Sequence, residues 1–344
     1  MMEFGLSFLP DCSPDNKSGA QYFQESIDLS VEAEKLGYAY SKITEHYLHP
    51  YGGYCPDPLM FLSAVAARTS RLRLMTGGII APYSHPIQIA SKIAMADAIS
   101  NGRIEAGFVR GYLPFEYDSL GIPMDESKAR HAATVKAVDL LLHNKKVSIQ
   151  NDYFAFADAT ILPRPTQPRI PIWHASISRS SIEFAAANGY DVALVLAFKH
   201  PASIRGAIDQ YRRENPAGRV CVFAPLVLDT DQNRAESIGN EHLKRYHSVW
   251  ADAAASWIGR TSRDFDPMYG SLTNAIQTVP VEAMRELRTT YFGTPDDVRR
   301  RLDEMIEIIE PSRILWNVDI GSMPMDLSLQ TIRLFADSIM SHYQ

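Results

Sequence analysis

The stretch RTSRLRLMTGGIIAPYSHPIQIASKIAMADAISNGRIEAGFVRGY, residues 68–112, decides the fold. It opens on an apolar run, RLRLMTGGIIAP (71–82), that reads as a strand with two glycines inside it. A helix follows over 85–100, with Pro86 near its start and Asn101-Gly102 at its close. RIEAGFVRG (103–111) is a second strand. Strand, helix and strand in one run make a βαβ unit, which implies a parallel sheet faced by helices.

The alternation continues on both sides. EFGLSFLP opens the chain as a strand, and residues 20–36 read as a helix ending at Gly37. YAYSKIT (38–44) is a strand and PDPLMFLSAVAART (56–69) a helix. A helix over 125–143 leads to the strands IPIWHA (170–175) and YDVALVLAF (190–198), with a helix between them at 179–188. Beyond a helix at 202–214 come the strand RVCVFAPLVLD, a helix at 231–256 and an eighth strand, SRILWNVDI (312–320). Two late helices carry one-sided apolar stripes: Val298, Leu302, Met305 and Ile309, then Leu329, Ile332, Ala336 and Ile339. Thr294-Pro295-Asp296-Asp297 supplies the first with an N-cap, a proline at N1 and two acids at the positive helix end.

Eight strands, each followed by a helix, predict a closed (β/α)8 TIM barrel. A doubly wound open sheet is the alternative, weakened because no G-x-G-x-x-G follows the first strand. Residues 257–292 break the rhythm; they are polar and read as an excursion at the C-terminal rim, either a lid or a surface insertion. The chain, 1–344, otherwise reads as one barrel domain.

The bulk numbers exclude several classes. A chain of 344 residues, 46% hydrophobic and 22% charged, has the composition of a soluble globular protein. A net charge of −6 argues against nucleic acid or an anionic membrane as partner. Cys12, Cys55 and Cys221 form no C-x-x-C, so reduced thiols in a cytoplasmic protein are expected. The N-terminus lacks the pattern of a secretory signal, and no apolar stretch approaches the ~20 residues of a membrane helix.

On a barrel, chemistry belongs at the C-terminal ends of the strands. The second strand ends at Glu45-His46-Tyr47, which puts a proton carrier, His46, there. Gly77-Gly78 interrupts the third strand; a flat ring lying on that backbone would account for the missing side chains, as would loose interior packing. The fourth strand ends at Arg110-Gly111-Tyr112 and the fifth runs into Ser178-Arg179-Ser180-Ser181 just before a helix. Hydroxyls, guanidinium groups and free helix N–H groups together suit a phosphate; a plain serine N-cap is the competing reading. His46 and His49 are three apart, but no third metal ligand has recognisable spacing. Aromatic side chains near the strand ends, Phe8, Tyr83, Tyr112, Phe115, Phe198 and Trp316, either line a substrate pocket or belong to the core.

Taken together these motifs resemble the bacterial luciferase-like flavin-dependent monooxygenases. The resemblance runs through FGLSFLP, EHY, the block SAVAARTSRLRLMTGG to GFVRGY, IPIWHASISRSSIEFAAANG, YFGTPDDVRRRL and SLQTIRLFADSIM. It implies a barrel that holds reduced FMN, or a deazaflavin, at its C-terminal end. The catalytic histidine of the family falls on His46, and Tyr47 stands where a second histidine often follows. A non-proline cis peptide under the ring maps to Gly77–Gly78. The phosphate grip maps to Arg110, Ser178 and Ser181, with Arg179 between the serines and Tyr112 beside the arginine. Val109 stands where luciferase has a reactive cysteine.

The resemblance further implies a two-component enzyme. A separate NAD(P)H-dependent reductase would supply FMNH2, and dioxygen would be activated as a flavin hydroperoxide to oxidise a small substrate. Hydride transfer with a deazaflavin and a non-catalytic flavin-binding protein are the alternatives. A homodimer or homotetramer is expected by the same analogy.

Overall fold

The protein, described here at residues 2–176 and 178–343 of a computed structural model, is the closed barrel that the alternation predicts. Its strands are β1 (Glu3–Phe8), β2 (Tyr40–Ile43), β3 (Arg73–Thr76), β4 (Ile104–Val109), β5 (Ile172–Ser176), β6 (Asp191–Val195), β7 (Val220–Leu228) and β8 (Arg313–Asn317). Every neighbouring pair is parallel. The ring closes where β8 lies beside β1, from Glu3 opposite Arg313 to Ser7 opposite Asn317. Connecting helices cover the outside: α1 (Gly19–Lys35), α2 (Pro58–Arg68), α3 (Pro86–Ile99), α4 (Ser127–His143), α5 (Arg179–Ala187), α6 (Arg205–Glu214), α7 (Gln232–Ala254), α8 (Pro295–Ile309) and α9 (Met325–Ser338).

The helix starts follow from their caps. Ser18 accepts the Gln21 N–H, Asp57 accepts the Leu59 N–H with Pro58 at N1, and His85 accepts the Ile87 N–H with Pro86 at N1. Thr294 does stand at the N-cap of α8, yet its hydroxyl makes no capping bond. Its N–H instead goes to Gln232 Oε1 at 3.0 Å, which pins the helix start to α7.

Three elements lie outside the predicted rhythm. Val147–Gln150 and Ala155–Ala159 form an antiparallel hairpin after α4. A six-residue helix, Pro114–Ser119, follows β4. The 257–292 segment contains the short helices Leu272–Thr278 and Ala283–Glu286 and ends in a strand, Tyr291–Gly293, that pairs in parallel with Leu226–Leu228 of β7. β3 breaks at Gly77–Gly78, whose peptide bond is cis, and Ile79–Ile80 resumes the pairing with β4.

Side chains fill the barrel interior. Tyr40, Met75, Trp173, Ala193, Cys221 and Leu315 pack together there. At the N-terminal end they meet a buried charge centre. Glu105 accepts from Arg73 Nε (2.9 Å), Arg313 Nη1 (2.9 Å), the Tyr40 hydroxyl (2.9 Å) and Trp173 Nε1 (2.5 Å), with Arg219 Nη2 at 3.8 Å. Burial alone would raise the pKa of this carboxyl; the arginines bring it below the usual range. Between strands and helices lies the apolar layer. Phe8 and Trp316 belong to it, against Phe61 and against Phe4 and Phe335, so these two aromatics are core and do not face the barrel mouth. Among the described residues no helix is long and apolar enough to cross a membrane.

Removing the carboxylate leaves Arg73 without its acid, Arg313 with Glu3 alone and Arg219 with Asp191 alone, and breaking a buried pair costs roughly 3–5 kcal/mol. Glu105→Ala should therefore move the urea midpoint down by that equivalent, and an unchanged midpoint would show that the centre carries no stability.

Candidate active site

The C-terminal end of β2 hands the chain directly to Glu45, His46 and Tyr47. Glu45 and His46 are both buried. His46 is placed by three contacts. Its N–H donates to the Cys55 carbonyl at 3.2 Å, and its ring packs 5.0 Å from Tyr51. Gly52, at φ +80°, leaves the space: a Cβ there would sit 2.7 Å from His46 Cδ2. The third contact is Glu116, on the short helix Pro114–Ser119. Glu116 Oε1 lies 3.1 Å from His46 Nδ1 and accepts the Tyr47 N–H at 2.8 Å; Oε2 accepts the Tyr83 hydroxyl at 3.1 Å. An acceptor at Nδ1 puts the ring proton there and leaves the Nε2 lone pair unspent, the tautomer a proton acceptor needs.

Glu45 faces the other way. Its Oε1 accepts the Tyr47 hydroxyl at 2.9 Å and its Oε2 the Ile80 N–H at 3.3 Å, beside the cis peptide. Burial pushes its pKa up to about 8. The missing side chains at Gly77 and Gly78 have a reason inside the protein. A Cβ on Gly77 would lie 1.7 Å from Lys42 Cε, and one on Gly78 would lie 2.8 Å from the Gly107 carbonyl oxygen.

Arg110, half-buried at the end of β4, reaches into the rim. Its Nη1 donates to the Asp264 carbonyl at 2.6 Å and its guanidinium stacks 4.0 Å from the Phe265 ring centroid. The Asp264 carboxylate in turn accepts the Lys128 N–H at 2.8 Å, at the start of α4. Tyr112 joins the rim as well: its hydroxyl accepts from Trp250 Nε1 and its carbonyl from Trp257 Nε1, each at 2.8 Å.

At the end of β5, Ser178 caps α5, and Ser181 answers it in a reciprocal capping box. Arg179 points outward to Glu183 Oε1 (2.9 Å) and Gln210 Oε1 (2.8 Å) on α6, so it shares no partner with Arg110. His49 is spent on Asp252 at 3.0 Å.

With this geometry in place, the comparisons with known proteins are decisive for the family. The model of the luciferase-like monooxygenases matches residues 2–309. This chain belongs to that family. The crystal structure of monooxygenase RslO1 from Streptomyces bottropensis superposes with a TM-score of 0.85 at 32% identity, over 100% of both chains. The oxygenase component of a flavin-dependent trigonelline monooxygenase from Acinetobacter baylyi is 32% identical over 194 residues, 56% of this chain and 53% of that one. An F420-dependent glucose-6-phosphate dehydrogenase from Amycolatopsis mediterranei is 30% identical over 284 residues, 72% of this chain and 85% of that one.

Sequence reasoning missed several groups at this barrel end. Glu116 carried one signal, an acid just inside a proline-started turn after β4. His131 of α4 and His174 of β5 approach Nε2 to Nε2 at 2.9 Å, both buried. Burial and the nearby Arg110 charge hold His174 down at about 4, and burial, His174 and Arg110 hold His131 well below its ordinary value. No spacing in the chain announces that pair.

The raised carboxyl of Glu45 has a signed consequence. The folded protein keeps a proton that the unfolded chain releases above its ordinary 4.5, so stability is lost as pH rises toward about 8. Glu45→Gln removes this titration. Between about pH 5 and pH 8 the variant's melting temperature should fall less than that of the parent; parallel curves would mean that Glu45 ionises normally.

Proposed function

We propose that this protein is the oxygenase of a two-component monooxygenase that uses reduced FMN and dioxygen to oxidise a small organic substrate. The observation that carries the reading is His46, a buried imidazole whose Nδ1 is fixed on Glu116, at the same barrel end as Gly77–Gly78 and Arg110. Family membership and the flavin-dependent oxygenase relative support it.

The residues present fit the cofactor. The cis Gly77–Gly78 peptide, next to the Ile80 N–H that Glu45 holds, would offer backbone for a planar ring to rest on. Arg110 and the hydroxyls of Ser178 and Ser181 at the start of α5 supply donors for a phosphate. Arg179 would have to leave Glu183 and Gln210 to join them. Bound reduced FMN supplies two electrons, so one atom of dioxygen enters the substrate and the other leaves as water. His46 Nε2 moves the proton that this balance requires, and Glu116 keeps the ring in the accepting tautomer. Tyr51, Tyr112, Phe198 and Trp250 wall the mouth with aromatic surface, which excludes water and suits an apolar or aromatic substrate. With no dinucleotide fingerprint in the chain, a separate NAD(P)H-dependent reductase supplies the FMNH2. A deazaflavin hydride-transfer reading is kept by the F420-dependent relative.

The test is a stopped-flow mix of the FMNH2-loaded protein with oxygenated buffer, followed by flavin absorbance. Reoxidation slower than in buffer is expected; a rate no slower would hand the site to the deazaflavin. In the same trace His46→Gln should bind FMNH2 normally and lose roughly 10²-fold or more of the protein's effect on the oxygen reaction. A variant that behaves like the parent would make His46 structural.

The rim segment 257–292 acts in this proposal as the lid. Its Asp264 carbonyl must leave Arg110 before a phosphate takes its place. FMN should therefore speed tryptic cleavage after Arg260 and Arg263, and Arg110→Ala should weaken FMN binding roughly 10- to 100-fold. Unchanged cleavage and unchanged affinity would remove Arg110 from the phosphate grip.

A further inference from the structure

Lys42 is the residue that neither the fold nor the proton chemistry explains. It stands near the C-terminal end of β2, inside the barrel, and is 4% exposed. Its Nζ donates to Thr44 Oγ1 at 2.6 Å and lies 4.7 Å from the Phe223 ring centroid. Among the described residues no carboxylate pairs with it within ion-pair distance. The acid that acts on it most strongly is Asp319, whose Oδ2 is already shared between the Tyr22 hydroxyl and the Leu9 N–H. Burial raises Asp319 to about 7 and lowers Lys42 to about 8.

A buried ammonium without a paired counter-charge is expensive, and an anion arriving beside it would relieve that cost. The position says which anion. The Lys42 stem fills the space a Gly77 side chain would take, and Thr44 Oγ1, which accepts from the ammonium, donates on to the Gly77 carbonyl at 3.4 Å. The cation is thus tied to the backbone on which the ring would rest.

We propose that the Lys42 ammonium is the charge partner of the reduced, anionic isoalloxazine ring. The inference rests on the flavin reading above and adds a residue to it. Oxidised flavin is neutral at the ring, and uptake of two electrons and one proton leaves a single negative charge on its pyrimidine edge. A fixed cation there binds the reduced form in preference to the oxidised one.

The experiment compares the affinities of FMN and FMNH2, the latter measured anaerobically, for the parent, Lys42→Met and Lys42→Gln. The same series is run with oxidised and reduced deazaflavin. The parent should favour the reduced cofactor, and both variants should lose at least about tenfold of that preference while oxidised-flavin affinity moves less than about threefold. Equal weakening of both redox states would make Lys42 a packing residue and overturn the assignment. An unchanged preference would do the same, and if benzoate then protected only the parent from heat, the charge would belong to a substrate carboxylate. A parent that binds neither cofactor in either state would instead remove the flavin reading, and this inference with it.

Discussion

The carboxylate of Glu105 sits where the inner faces of the barrel strands converge at their N-terminal ends, and what lies above it follows from that placement. Residues of β2, β3, β5 and β8, and Arg219 just before β7, all reach it. Its bonds come from side chains on different strands, so they are satisfied together only when the strands hold their observed register. Buried ion pairs contribute modestly to net stability, but breaking one is costly, so such a centre acts against register slips. It also fills the N-terminal end of the barrel interior with charged side chains.

The electrostatics of that mouth are the reverse. The basic groups around Glu105 have their counter-charge. Lys42, Glu45, Asp319, His131 and His174 have been taken from water with no ion-pair partner in contact among the described residues, and each is displaced toward its neutral form. Groups held this way cost stability and respond strongly to an arriving charge, which is the usual signature of a working site. The rim supplies part of the missing environment: the Asp264 carbonyl stands on Arg110 and Tyr112 is tied to two tryptophans. Cofactor and rim therefore compete for the same donor in the proposed function.

Much of the barrel could be read from the chain because its strands are short apolar runs bounded by caps and turns. His46 and Gly77–Gly78 were legible for a related reason: each stands at or beside a strand end, where a barrel puts its chemistry. The helix Pro114–Ser119 was not legible, since six residues carry too little periodicity to separate a helix from a loop. The hairpin at 147–159 was missed because its apolar face is only Val147, Ile149, Phe156 and Ala159, spread over strands of four and five residues, too short a pattern to separate a strand from a loop.

By itself, then, the sequence determined the order of strands and helices, the closure into a barrel, the family and the residue at the end of each strand. These are local properties, set by pattern and by caps within a few residues. Which groups meet was decided only in three dimensions. Glu116 reaches His46 across 70 residues, His131 reaches His174 across 43, and Asp264 reaches Arg110 across 154. Whether Lys42 has a counter-charge could not be read from its neighbours in the chain either. Contact and desolvation depend on what the fold brings beside a side chain, and neither is written in its local sequence.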